Sequence, residues 1–247
     1  MADRIGRLAV AGMLVLSAGC GAHIGNGPHK RLMVGATERH TQIVAKSKAA
    51  GAEQVRAEIS MAAGELKVSG GAHEMMEAEF TTNLAEYNPE VRFDESGFRR
   101  KLTVEQRDGT TQIIGDLVNR WDVKLAGDLP LDLSVKCGAG ESRLDLRELT
   151  LRSVEMNIGV GEVKADLRNN PKHDYDVAIR GGVGQATVIV PTEVGVVAEA
   201  AGGIGEINVR GMKRDGNRWV NEAYGKSKVT IRLNVKGGIG QIDIRAE

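Results

Sequence analysis

Gly138-Ala139-Gly140-Glu141, Gly159-Val160-Gly161-Glu162, Gly182-Val183-Gly184-Gln185, Gly203-Ile204-Gly205-Glu206 and Gly238-Ile239-Gly240-Gln241 are five copies of one motif. A weaker copy, Ala62-Ala63-Gly64-Glu65, lies upstream. Between second glycines the steps are 21, 23, 21 and 35 residues, so the first four full copies form a near-regular repeat. Each motif runs on as small or apolar, polar, apolar, as in Glu162-Val163-Lys164-Ala165 and Gln241-Ile242-Asp243-Ile244. Alternation with period two marks a half-buried strand. Glycines around one apolar residue suit a tight turn with φ > 0 between two such strands. One unit cannot bury its apolar face alone, so neighbours must stack. The expectation is an all-β chain: a repetitive single-chain β-solenoid of short stacked strands with Gly-x-Gly turns.

Composition agrees. The 247 residues hold 32 glycines but only 3% aromatics, so the core must be built from Leu, Val, Ile, Ala and Met in thin layers. Lys+Arg 33 against Asp+Glu 33 gives zero formal net charge, which excludes nucleic acid as a bulk electrostatic partner.

The first residues read as an export signal, with Arg4 and Arg7 ahead of an apolar run from Leu8 to Leu16. That run is far short of the ~20 residues needed for a permanent membrane-spanning helix. Ser17-Ala18-Gly19-Cys20 resembles the lipobox of bacterial lipoproteins, with serine where that family favours leucine. The resemblance implies cleavage after residue 19 and a lipid on Cys20. It also implies a cell-envelope location outside the cytoplasm, at the outer membrane if the cell has two. Cys137 then remains as one free thiol, inside a strand pattern, and reads as an inert core residue.

Four segments follow from this reading: a signal peptide at 1–19, a flexible spacer at 20–54, an N-terminal β-domain at 55–118 and the repeat β-solenoid at 119–247. The spacer lacks periodicity, and the spacing of His23, His29 and His40 matches no metal-ligand pattern. From Val55 the alternation is sustained. Met75 to Phe80 is read as a strand rather than a short helix, because Glu90-Val91-Arg92-Phe93 and Lys101 to Gln106 follow with hairpin-like spacing. Residues 109–117 read as a loop or an irregular strand. The last strands, 228–235 and 241–245, are expected to close the stack.

The run from Asn119 through Gly140-Glu141-Ser142-Arg143-Leu144-Asp145-Leu146, continued by the later Gly-x-Gly copies, is similar to the toast-rack domains of bacterial envelope proteins. The upstream Ala63-Gly64-Glu65-Leu66-Lys67-Val68 and Glu77-Ala78-Glu79-Phe80 carry the same likeness, which covers residues 54–247. The C-terminal part also resembles the output domain of membrane proteins in cell-wall-antibiotic stress responses, and adhesin-like domains. The resemblance implies a β-solenoid and no defined biochemical activity.

The motifs do not build a nucleotide site. That fingerprint needs a third glycine three residues after the second, where Arg143, Lys164, Thr187, Asn208 and Asp243 stand instead. The repeat is also too long for a calcium-binding nonapeptide roll. The column Glu65, Glu141, Glu162, Gln185, Glu206 and Gln241 would lie ~5 Å apart in stacked strands, sharing a cation or, on the simpler reading, capping its own turns and facing water. No catalytic set, cofactor or metal is expected. The 35-residue step carries Arg218, Trp219 and Tyr224, residue types enriched at binding hot spots, in an aromatic-poor chain. They are either a partner contact or a cap over the apolar end of the stack. The expected function is a non-enzymatic envelope lipoprotein, a structural or binding module for adhesion or envelope-stress sensing. It would be held at the membrane by its lipid and would contact an envelope protein or polymer. The alternative is an envelope hydrolase or other enzyme using carboxylates at the repeat turns.

Overall fold

A computed structural model of the chain describes residues 30–106 and 111–247. The signal segment and Cys20 lie outside them. The described residues form β1 (Lys30–Met33), β2 (Glu38–Val44), β3 (Gln54–Ser69), β4 (Met76–Thr82), β5 (Glu90–Asp94), β6 (Arg99–Glu105) and β7 (Thr111–Ile114). They continue with β8 (Asn119–Leu125), β9 (Leu131–Asp145), β10 (Leu151–Asp166), β11 (Tyr175–Val190) and β12 (Gly195–Arg210). The last are β13 (Lys213–Asp215), β14 (Arg218–Val220) and β15 (Thr230–Ala246).

The repeat strands are not separated by hairpin turns. β3, β9, β10, β11, β12 and β15 each run 15 to 17 residues straight through the Gly-x-Gly, as two short legs joined at a bend. They pair in parallel with the motifs in register: Gly64↔Gly140, Gly161↔Gly140, Gly161↔Gly184, Gly184↔Gly240 and Gly205↔Gly240. The alternation changes phase at the bend. In β10 the inward residues are Val154, Met156 and Ile158 on the first leg, then Val163 and Ala165 on the second. A five-residue step from Ile158 to Val163 breaks the period of two, and this puts the apolar face of both legs on the inside of the corner. The two legs thereby feed a single core.

The corner demands glycine twice over. Gly161 has φ 134°, in the region that L side chains avoid, and a Cβ built on it would stand 1.9 Å from the carbonyl oxygen of Gly140 in the neighbouring rung. Gly184 repeats this with φ 139° and 1.8 Å to the oxygen of Gly161. The upstream copy begins with alanine for a reason that the stacking supplies. The rung ahead of β3 is split, with β6 pairing residues 54–60 and β8 pairing residues 65–69. β6 ends at Glu105 and β8 starts at Asn119, so among the described residues no strand crosses that corner, and Ala62 is exposed.

Beyond β8 the sheet continues antiparallel through β4 to β2, while β5 pairs with β6 as the hairpin expected from the sequence. β1 and β7 form a separate parallel pair. Buried asparagines close the irregular places. Asn119 donates to the Ala63 carbonyl at 2.6 Å and accepts from the Trp121 indole at 2.9 Å. Asn221 donates to the carbonyls of Pro191 and Val194 and accepts from the amide of Val196.

Two expectations need correction. Within the stretch 20–54 expected to be a flexible spacer, residues 30–33 form β1 and residues 38–49 form β2 and a 3-10 turn. β2 gave no alternation to read because six of its seven residues are exposed and only Val44 is buried. Secondly, β15 does not close the stack. It lies between β11 and β12, so β12, the preceding repeat strand in sequence, forms the outermost parallel rung. The 35-residue step is the length of chain that leaves β12, folds into the β13–β14 hairpin and returns to the vacant place beside β11. Arg232 fastens β15 in that place, reaching Asp174 Oδ2 at 3.0 Å just ahead of β11 and Asp176 Oδ1 at 2.5 Å on it.

The corner predicts a sharp contrast within β11 and β10. Gly161→Ala should lower stability by at least ~2 kcal/mol, from positive φ and collision with a backbone carbonyl. Gly181→Ala, with nothing within 4 Å of the added Cβ, should be nearly silent. Thermal melts of the two variants check this, and equal melting temperatures would contradict it.

Candidate functional site

The residue between the two glycines has its side chain outside the core, at the apex of each rung. Register places these apices in one line: Ala63, Ala139, Val160, Val183, Ile239 and Ile204. The four larger ones are exposed, Val160 at 54%, Val183 at 46%, Ile239 at 51% and Ile204 at 70%. β-branched residues held one rung apart, ~4.8 Å, make a continuous aliphatic rim along the corner of the sheet. The outer rungs also carry glycine at the innermost corner position, Gly181, Gly237 and Gly202, where the inner rungs have Met61, Cys137 and Ile158. A hollow of about 60 Å³ lies there under the rim, lined by these glycines with Ile158, Val235 and Ile242. Ile242 leans into the missing volume, its Cδ1 3.3 Å from where a Cβ on Gly237 would be.

The Glu/Gln column flanks the rim, and four of its six members are drawn into side-chain pairs. Glu141 is bridged by Arg143 at 2.6 Å, two residues on, and Glu65 by Arg120 across the strand pair at 3.2 Å. Gln241 donates to the buried Asp243 carboxylate at 2.6 Å, with Gln185 more distant at 3.4 Å. Among the described residues no cluster of three or more His, Cys, Asp or Glu has the geometry to hold a metal ion. Burial pushes the Cys137 thiol up from its ordinary value, which keeps it protonated and unreactive. The backbone amide of Thr230 and the Arg232 guanidinium hold the Asp174 carboxyl below the usual range, so this acid serves the β11–β15 clamp.

The three hot-spot residues of the long step are divided by the structure. Trp219, on β14, lies half-buried against the core opposite Ala198 of β12, with the Arg214 guanidinium 5.6 Å from its ring centroid. Arg218 stacks 5.5 Å from the Tyr224 ring and bridges Asp215 at 2.8 Å. Arg218 and Tyr224 line a shallow groove with Asp176, Glu199, Arg232 and Asn234. The sequence singled out these three as candidates, whereas the apolar character of the apex residues was visible at the centre of every motif. The signal was misread as turn filling because exposure at a corner depends on which way the bend opens.

A parallel sheet of bent, glycine-pinned rungs presenting a rim, a flat polar face and one partly covered end is a repetitive β-scaffold. The chain belongs to the toast-rack family: residues 33–189 match the N-terminal domain of toast_rack. Residues 139–244 match the C-terminal domain described as cell wall-active antibiotics response LiaF. The chain is similar to protein LiaF of Bacillus subtilis (strain 168), 25% identical over 112 residues, 43% of this chain and 46% of LiaF. It therefore spans less than half of that relative's length. It is also similar to a crystal structure from Clostridium sporogenes ATCC 15579, provisionally designated a cell adhesion protein. The two agree with a TM-score of 0.80 at 30% identity, over 86% of this chain and 100% of the other.

The division of the long step predicts unequal costs. Trp219→Ala should lower stability by ~2 kcal/mol, about half the cost of losing a fully buried tryptophan. Tyr224→Ala should cost less, since it lies over Arg218 rather than in the core. Denaturant unfolding of both variants measures the order, and an inert Trp219→Ala would remove its role as a cap.

Proposed function

We propose that this chain is a non-enzymatic module of the bacterial cell envelope that binds a partner through its aliphatic rim and takes part in the response to cell-wall-active agents. The observation that carries the reading is the line Val160, Val183, Ile239 and Ile204, exposed yet fixed by glycines that the backbone cannot replace. Exposed aliphatic side chains in a contiguous line are characteristic of interaction surfaces. The repeat-turn carboxylates, in contrast, are spread along an exposed column, with Glu65 and Glu141 paired to arginines, not gathered in a cleft as catalysis requires. The match to the LiaF C-terminal domain supports an envelope-stress role, and the Clostridium neighbour's designation supports adhesion as a second reading of the same rim. The partner is an envelope protein or polymer with an apolar strip.

In a strain lacking the protein, response to a cell-wall-active antibiotic should change, and the wild-type chain should restore it. Val183→Glu with Ile239→Glu should reach wild-type abundance and melting temperature but fail to restore the response. Full complementation by this variant would refute the rim as the binding surface.

We further propose that the chain is held at the membrane through a lipid on Cys20, which follows Ser17-Ala18-Gly19 in the pattern of a lipoprotein signal. Metabolic labelling with a fatty-acid analogue should mark the wild-type chain and leave Cys20→Ser unlabelled. Equal labelling of both would exclude this anchor.

A further inference from the structure

The two ends of the parallel stack are finished differently. At the β3 end both legs are covered, the first by β6 and the second by β8. At the β12 end the hairpin reaches only the first leg, where β14 pairs with Val197 and Ala198. Residues 203–210, the corner and second leg of β12, have no strand on their outer side among the described residues. The consequence shows in burial. Ile207 is 37% exposed, while Ile242 and Val163, at the equivalent place in the rungs behind it, are 3% and 4% exposed. An unpaired edge with an inward-facing isoleucine left in water is a template for another strand.

The edge is complementary to itself. In an antiparallel pair centred on Asn208, Glu206 faces Arg210 of the second strand, and Arg210 faces its Glu206. On the opposite face, Ile207 meets Val209 twice. The charged pairs fall on the outer face and the aliphatic pairs on the core face, so one register satisfies both sides of the sheet. Glu206 and Arg210 are both exposed, and neither has an ion-pair partner among the described residues, whereas Glu65 and Glu141 of the same column do. The edge strands of the opposite end, β2 and β5, offer no such match, since Arg39 of β2 is already paired with Glu79 and His40 lies beside Glu38, while Arg92 of β5 bridges Glu90 and Glu105. Head-to-tail growth is therefore disfavoured, and a closed two-fold pair is the self-limiting solution.

We infer that the second leg of β12 is the contact of a two-fold homodimer, in which Glu206–Arg210 and Ile207–Val209 pairs extend the sheet across the axis. The occupant is a second copy of this chain. This inference is independent of the rim, which lies at the corner and stays exposed in the pair. A short edge contact belongs to the small-interface class, so the dimer is a weak one, to be sought at about 10 to 200 µM.

Sedimentation velocity of the full chain across that range tests it. The wild type should pass from monomer to dimer, and Ile207→Lys should remain monomeric with an unchanged melting temperature. Glu206→Arg and Arg210→Glu should each weaken association about tenfold, because two symmetric pairs become like-charged at once. The combination Glu206→Arg with Arg210→Glu should restore it, since the pair is rebuilt with its members exchanged. A wild type that stays monomeric at the highest concentration overturns the inference. So does a dimer indifferent to the single charge reversals, or one that the double exchange fails to restore.

Discussion

Each second glycine of the motif lies under the carbonyl of its neighbour so closely that no Cβ fits between them, and the whole stack depends on that approach. Built on Gly140, Gly161, Gly184, Gly240 and Gly205, a Cβ would fall 1.7 to 1.9 Å from an oxygen of the adjacent rung. The requirement acts as a registration pin. A slip of one residue would drive valine, isoleucine or glutamate against that oxygen, and would also turn the inward residues of both legs toward water. Steric exclusion at the corner and burial along the legs therefore select the same register. Because the pin is identical in each rung, it says nothing about chain order, and β15 fits between β11 and β12 as well as any other copy would. What fixes it there is local: the Arg232 clamp on Asp174 and Asp176, and the amide of Thr230 on Asp174.

The ends of such a stack are where the repeat logic fails and other devices take over. At the β3 end a full bent rung is replaced by two separate strands, β6 for one leg and β8 for the other, so among the described residues no strand stacks over Ala62. The first glycine is correspondingly relaxed to Ala62, while Gly64 is retained because a Cβ there would stand 2.2 Å from the carbonyl oxygen of Asn119. Asn119 itself satisfies the irregular backbone, donating to Ala63, and positions Trp121, which meets Phe80 edge-on at 5.5 Å. Both of these aromatics, scarce in this chain, are thus used where the rung is split and the glycine pin is incomplete.

The legs, the corner and the parallel stacking were legible because each leaves a periodic trace: alternation for the legs, Gly-x-Gly for the bend, 21 to 23 residues for a rung. β2 was not legible, since a strand exposed on both faces has no apolar period, and its existence depends on β4 offering backbone partners from another part of the chain. Nor was the place of β15. Its inward Ile231, Leu233, Val235, Ile242 and Ile244 would suit any slot, though they are larger than Val196, Ala198 and Ala200 of β12 and are more deeply buried on the second leg. Arg218, Trp219 and Tyr224 were singled out by composition, but composition cannot tell that Trp219 turns to the core while Arg218 and Tyr224 line a groove. The rim was missed for a geometric reason: an apolar residue between two strands is inside or outside according to the sense of the bend.

The apex residues are the one column whose chemistry folding does not dictate. Their side chains lie outside the corner, clear of the carbonyl stacking and of the core, so a threonine or lysine would satisfy the same backbone. Yet they run from Ala63 and Ala139 at the covered end to Val160, Val183, Ile239 and Ile204 toward the open one. Apolar area grows in the direction in which sheet coverage falls, and both changes meet at β12. Across a two-fold axis at Asn208, each apex at residue 204 would stand four residues from the axis, roughly 13 Å along an extended strand and on opposite sides of it. A pair would then present two rims to one surface. Two weak aliphatic contacts joined rigidly act with an effective concentration that neither has alone, which is how a modest strip on a small module can bind a polymer or a clustered partner usefully.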